Sequence, residues 1–171
     1  MLNFFLKPNR DEQRYFYLIG LSLIIALVLT IIPLPAWAIF FRPQWVVLVL
    51  VYWLLMLPER VGLISAWGCG LFLDILQGTL LGVNGLAMVV IAYLCIKWHR
   101  QIRAFPLHQQ TLTVFVMVLI FQSIVLFVQS LFGEANYHWQ YWFAAVASML
   151  LWPWVFILLQ DCHFKMGVRR S

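Results

Sequence analysis

Apolar residues arrive in six long runs separated by short polar interruptions, and each run reads as one helix: Tyr15 to Ile32, Trp37 to Leu57, Val61 to Leu76, Gly82 to Ile96, Leu107 to Phe132 and Trp139 to Gln160. The runs are continuously apolar, which predicts helices and not the roughly ten-residue alternating strands of a barrel. A helix needs about 20 residues to cross roughly 30 Å of hydrocarbon, and most of the runs approach that length. Segments three and four are shorter. The polar, glycine-bearing stretch Gln77 to Asn84 between them leaves open either two full spans or one re-entrant pair. Short connections predict antiparallel neighbours in one compact bundle. The expected architecture is an all-α membrane protein: a cytoplasmic segment over 1–14, a six-helix transmembrane domain over 15–160 and a cytoplasmic tail over 161–171.

Composition supports lipid as the solvent, because 64% of the 171 residues are hydrophobic and 10% charged, against roughly 45 to 50% and about 25% in soluble domains. The basic residues set the orientation, since Lys and Arg favour cytoplasmic loops. With six crossings, Lys7, Arg10, Arg14, Arg60, Lys97, Arg100, Arg103, Lys165, Arg169 and Arg170 all fall on one side, so both termini are expected in the cytoplasm; Arg42 is the exception. Tyr137, Trp139, Tyr141 and Trp142 fit an outer aromatic belt, and Tyr15, Tyr17 and Trp98 an inner one. The net charge of +5 is that of basic loops facing an anionic leaflet and calls for no nucleic acid. The first run is too long for a signal-peptide core and ends without a small-residue cleavage site, which predicts a retained helix. Cys69, Cys95 and Cys162 imply neither a disulfide framework nor a metal site.

Ionisable groups at membrane depth are costly and ask for partners. Arg42 lies a turn or so into the second segment and Asp74 near the outer end of the third, at one depth on adjacent antiparallel helices. They are expected to pair or to share a polar network; in the simpler alternative Arg42 snorkels to the headgroups and Asp74 caps the following turn. Gly62, Ala66, Gly70, Asp74, Gly78 and Gly82 recur every four residues, a small-residue groove that serves either packing within the bundle or docking of a partner's helix. Gly78, Gly82, Asn84 and Gly85 suit the outer turn. Gln122, Ser123, Gln129 and Ser130 repeat at seven residues, and Ser22, Ala26 and Thr30 make a similar stripe, both suited to hydrogen bonds across helices. Pro153, between Trp152 and Trp154, is expected to kink the last helix. His99, His108, His138 and His163 lie at segment ends without metal-ligand spacing, and no phosphate loop, nucleophile elbow or paired carboxylates occur. No enzyme activity, cofactor or metal is expected.

The stretch from Phe41 to Leu94, with Arg42-Pro43, Pro58-Glu59-Arg60, Gly70 with Asp74 and the Gly82 to Asn84 turn, strongly resembles the rod shape-determining protein MreD family of Gram-negative bacteria. Leu151 to Leu159, containing Trp152-Pro153-Trp154, resembles it too. Likeness extends from about Tyr15 onward and is weaker in the fifth segment and the tails. The resemblance implies an inner-membrane subunit of the lateral wall-elongation complex. Its partner would be an MreC-like bitopic protein, and through it an MreB-like filament, a RodA-like glycosyltransferase and a penicillin-binding transpeptidase. It further implies a six-helix arrangement shared with the substrate-binding subunits of vitamin transporters. Arg42, Pro43, Gly70, Asp74, Gly78, Gly82, Asn84, Trp152 and Pro153 would then serve structure or partner docking. A small-solute binding or transport subunit is the alternative from another class.

Overall fold

The computed structural model describes residues 10–32, 42–133 and 142–167, with side chains over 15–32, 42–133 and 142–162. Six helices occupy them: α1 Arg10–Ile31, α2 Trp45–Met56, α3 Leu63–Gln77, α4 Val83–Ala104, α5 Leu107–Leu131 and α6 Phe143–Gly167. Trp37 to Phe41, the belt residues Tyr137, Trp139 and Tyr141, and the side chains of Lys7, Arg10, Arg14, His138, His163, Lys165, Arg169 and Arg170 lie outside the described set. Segments three and four form two separate helices joined by a turn. Helices α1, α4 and α6 run beyond the limits expected from the apolar runs, because turns carrying charged and polar residues can continue a helix after its apolar stretch has ended.

Helix α2 occupies the middle. All ten residues from Val46 to Leu55 are buried, and α1, α4, α5 and α6 all pack on it. A helix apolar on every face has no side to offer water, which makes it the natural centre of a bundle. Cross-helix hydrogen bonds fix it near both ends: the Gln44 backbone N–H donates to Ser148 Oγ of α6 (2.9 Å) and Trp53 Nε1 donates to Ser22 Oγ of α1 (2.8 Å). The second of these fulfils the cross-helix role expected of the α1 stripe, whereas Thr30 donates to its own helix at the Ala26 carbonyl.

The start of α2 corrects the sequence reading. Arg42 to Gln44 are non-helical and α2 begins only at Trp45. The ring of Pro43 disfavours the helical region for the residue before it, so Arg42 stands ahead of α2 and not a turn inside it. The serines of α5 are a second correction: Ser123 bonds the Leu119 carbonyl and Ser130 the Phe127 carbonyl, back-bonding that needs no neighbour helix.

Helices α3 and α4 form the closest pair in the bundle. Ala66, Gly70, Leu73 and Asp74 are buried on the α4-facing side. A Cβ placed on Gly70 would lie 2.6 Å from the Gly85 nitrogen and 2.8 Å from the Asn84 carbonyl carbon. The small-residue face is thus filled by α4 and is not an open groove for a partner helix. At the other end of α4, Gln110 Nε2 donates to the Ile102 and Phe105 carbonyls (3.0 and 3.2 Å), supplementing the Phe105 N–H that also reaches the Ile102 carbonyl.

The outside is as apolar as the inside. Ile64, Trp154 and Leu150 are 85, 71 and 69% exposed, and Phe72, Ile75, Phe127 and Leu158 are exposed as well. Withdrawing each such side chain from water is worth roughly 1.5 to 3 kcal/mol, so this surface belongs against lipid. Helices α5 and α6 are long and apolar enough to cross a bilayer, and α1, α2 and α3 are shorter apolar helices.

Gly70→Ala is expected to lower stability by about 1 to 3 kcal/mol, the usual cost of overpacking against atoms that cannot yield. Gly68→Ala, whose new methyl meets nothing within 4 Å, is expected to be neutral or stabilising by up to about 1 kcal/mol. Thermal unfolding of the two purified variants in detergent checks the contrast.

Candidate functional site

The predicted polar residues gather where α1, α3 and α4 end or begin. Helix α3 stops at Gly78, whose φ of 65° lies in the left-handed region, and α4 starts after Gly82, with φ 98°. Side chains with a Cβ rarely adopt either value, and two such residues reverse the chain within five positions. The turn brings the N-terminus of α4 back over the last turn of α3.

Asp74 closes this turn. It is fully buried, and its Oδ1 accepts from Thr79 Oγ1 (2.9 Å), Asn84 N (3.1 Å) and Asn84 Nδ2 (2.9 Å). Its Oδ2 accepts from Gly82 N (2.9 Å) and Gly85 N (3.4 Å). Three of these donors are backbone N–H groups at the start of α4, which have no partner within their own helix and carry the positive end of its dipole. A carboxylate placed there accepts the orphan donors and is stabilised by the dipole, so the acid needs no cation. Asn84, itself buried, extends the cluster by donating to Gln77 Oε1 (3.3 Å) and Thr79 Oγ1 (3.4 Å).

Arg42 and Asp74 do not pair. Arg42 stands with Thr30 and Ile31 of α1 and Leu76 and Gln77 of α3 around an open cavity of about 330 Å³. Its Nε and Nη2 are buried and have no hydrogen-bond partner. The ion pair fails for a local reason: the α3–α4 turn supplies nearer donors that satisfy both carboxylate oxygens. The opposite end of the bundle is marked by the Arg60 guanidinium, 5.0 Å above the Tyr15 ring.

Trp152 is fully buried while Trp154 faces outward, and α6 continues unbroken through Pro153. Trp152 and Tyr52 both pack on Phe156, at ring-centroid distances of 6.0 and 5.7 Å, a cluster joining α2 to α6. Sequence reasoning missed a second feature, a furrow of about 270 Å³ between α1 and α6. Its floor is Trp45, Val49 and Trp53 of α2, spaced four apart, and Ile25, Leu29, Val155 and Leu158 form much of its walls. The spacing Leu18, Leu21, Ser22, Ile25, Leu29 was visible in the sequence, yet in a helix that is apolar all round nothing distinguishes one face. Over the described residues α1 and α6 both pack on α2 but not closely on each other, which leaves the furrow open.

Asp74→Asn, which turns an acceptor into a donor facing other donors, is expected to lower stability by about 2 to 4 kcal/mol. Arg42→Gln removes no hydrogen bond and should cost far less. Paired thermal denaturation of the two variants reads the difference; an ion pair would instead make their losses similar.

Comparison with known proteins agrees with the sequence resemblance. The model of the family described as rod shape-determining protein MreD matches residues 12–162. The rod shape-determining protein MreD of Haemophilus influenzae is 36% identical over 142 residues, covering 83% of this chain and 88% of that protein. No solved structure matches significantly, so the likeness to vitamin-transporter subunits stands on the resemblance alone. With the family model and the relative both spanning most of the bundle, the chain belongs to the MreD family of rod shape-determining proteins.

Proposed function

We propose that this chain is a non-enzymatic, multi-pass subunit of the rod complex in the bacterial inner membrane, crossing six times with both termini in the cytoplasm. In this reading it supports lateral peptidoglycan synthesis by holding the transmembrane helix of an MreC-like bitopic partner. Through that partner it is linked to an MreB-like filament, a RodA-like glycosyltransferase and a penicillin-binding transpeptidase. Membership of a shape-determining family supports the general role; the furrow between α1 and α6 is the observation that carries the docking.

The furrow has the character of a helix seat. From Leu18 to Leu29 it follows three turns of α1, about 16 Å at 1.5 Å per residue, and its floor is the outward face of the central helix. In lipid, helices associate through close packing and a few hydrogen bonds, because the lipid itself is as apolar as they are. An open apolar channel in an otherwise packed bundle offers a single-pass helix the contacts that acyl chains fill less well. The Gly70 face, the other site considered for docking, is occupied by α4. A solute carrier would instead want polar groups converging on the bundle interior, whereas the furrow's one hydroxyl, on Ser22, already accepts from Trp53.

A photoreactive residue at Ile25 or at Leu158 is expected to form a covalent adduct with the MreC-like partner in cells, while one at Phe72, exposed on α3, is expected not to. Adducts confined to Phe72, or none at Ile25 and Leu158 with the partner present, would remove the furrow as the docking seat.

A further inference from the structure

Among the described residues, Arg42 has no anionic partner. Its Nε and Nη2 are buried and unpaired, and a buried charged donor left unsatisfied is among the more costly arrangements a fold can hold. Asp74, on the helix whose last turn lines the Arg42 cavity, is fully buried and has both oxygens engaged by Thr79, Gly82, Asn84 and Gly85. It cannot turn to Arg42 without abandoning the first turn of α4.

The space beside Arg42 is large enough for a guest. The cavity of about 330 Å³ far exceeds the roughly 10 to 15 Å³ that one water needs. Gln77 gives its Oε1 to Asn84, so its amide nitrogen is the donor it has left. Thr30 lines the opposite wall. Exposed Ile31 and Leu76 line the cavity, and Ile75, also exposed, precedes Leu76 on α3, an apolar strip beside a cationic pocket. The pocket lies where α1 and α3 end, opposite the end marked by Arg60 and Tyr15, and so at an interface of the bilayer.

We propose that this pocket seats the phosphate of a membrane phospholipid, with Arg42 and Gln77 donating to its oxygens and the acyl chains lying along Ile31, Ile75 and Leu76. A guanidinium presents parallel N–H donors that suit phosphate oxygens, and phospholipid is the anion-bearing molecule present at that depth in every membrane. The bound phosphate supplies the Arg42 charge with the counter-ion that the described residues do not provide.

The test uses the full-length protein purified in detergent, delipidated and titrated with phosphatidylglycerol, the bound lipid being counted by native mass spectrometry. Arg42→Gln is expected to weaken retention about tenfold, equivalent to about 1.4 kcal/mol. Leu76→Trp, which fills the mouth and leaves Arg42 in place, should weaken it comparably and guards against misreading a folding defect. Diacylglycerol, which has the chains but no phosphate, should not be retained at this site. Equal retention of phosphatidylglycerol by the parent and both variants overturns the proposal, as does equal retention of diacylglycerol. Displacement of the lipid by millimolar inorganic phosphate would assign a free-anion site and overturn the lipid. Unchanged lipid binding with loss of a co-purifying partner protein in Arg42→Gln would assign the cation to a protein carboxylate, with the same consequence.

Discussion

The α3–α4 hairpin depends on one carboxylate. Where water is scarce, the backbone donors at a helix start must find acceptors within the protein, and Asp74 supplies acceptors to Gly82, Asn84 and Gly85 at once. That arrangement holds the two helices so close that Gly70 meets the backbone of α4, and no larger residue fits between them. Packing, turn geometry and charge burial are here three aspects of a single contact. Because the acid is satisfied by its own turn, Arg42 remains open to something else.

A second constraint is set by α2. A helix buried on all sides needs a shell, and four helices, α1, α4, α5 and α6, provide one that does not fully close between α1 and α6. Trp45, Val49 and Trp53 line the floor of the gap. Polar pins at Gln44–Ser148 and Trp53–Ser22 keep the floor in register with both walls.

Much of this was legible in the sequence, because long apolar runs and short breaks leave few ways to arrange a chain in lipid. The order of the helices and the turn at Gly78 to Asn84 follow from hydrophobicity and glycine placement alone. The exact onset of α2 did not follow, since apolarity continues through Trp37 to Phe41 and only the local geometry at Pro43 decides where the helix can begin. The partner of Asp74 was hidden for a different reason: backbone N–H groups carry no letter, so an acid satisfied by them looks unpaired in sequence. The same blindness made the serines of α5 look like bridges, when each returns its proton to its own helix. The furrow needed the third dimension altogether, being made of residues no more apolar than their neighbours.

Helix α3 has 15 residues and therefore rises about 22 Å, and it is this helix that turns Ile64, Trp67, Phe72 and Ile75 outward. If this helix crosses the membrane as proposed, a bilayer of ordinary thickness is drawn in to meet that face, and such thinning costs fractions of a kcal/mol per ångström of mismatch. One flank of the protein would then sit in a dimple of the bilayer. Other short-spanned proteins placed in that dimple would relieve the deformation they each cause alone, an attraction transmitted by the lipid that requires no surface complementarity between them.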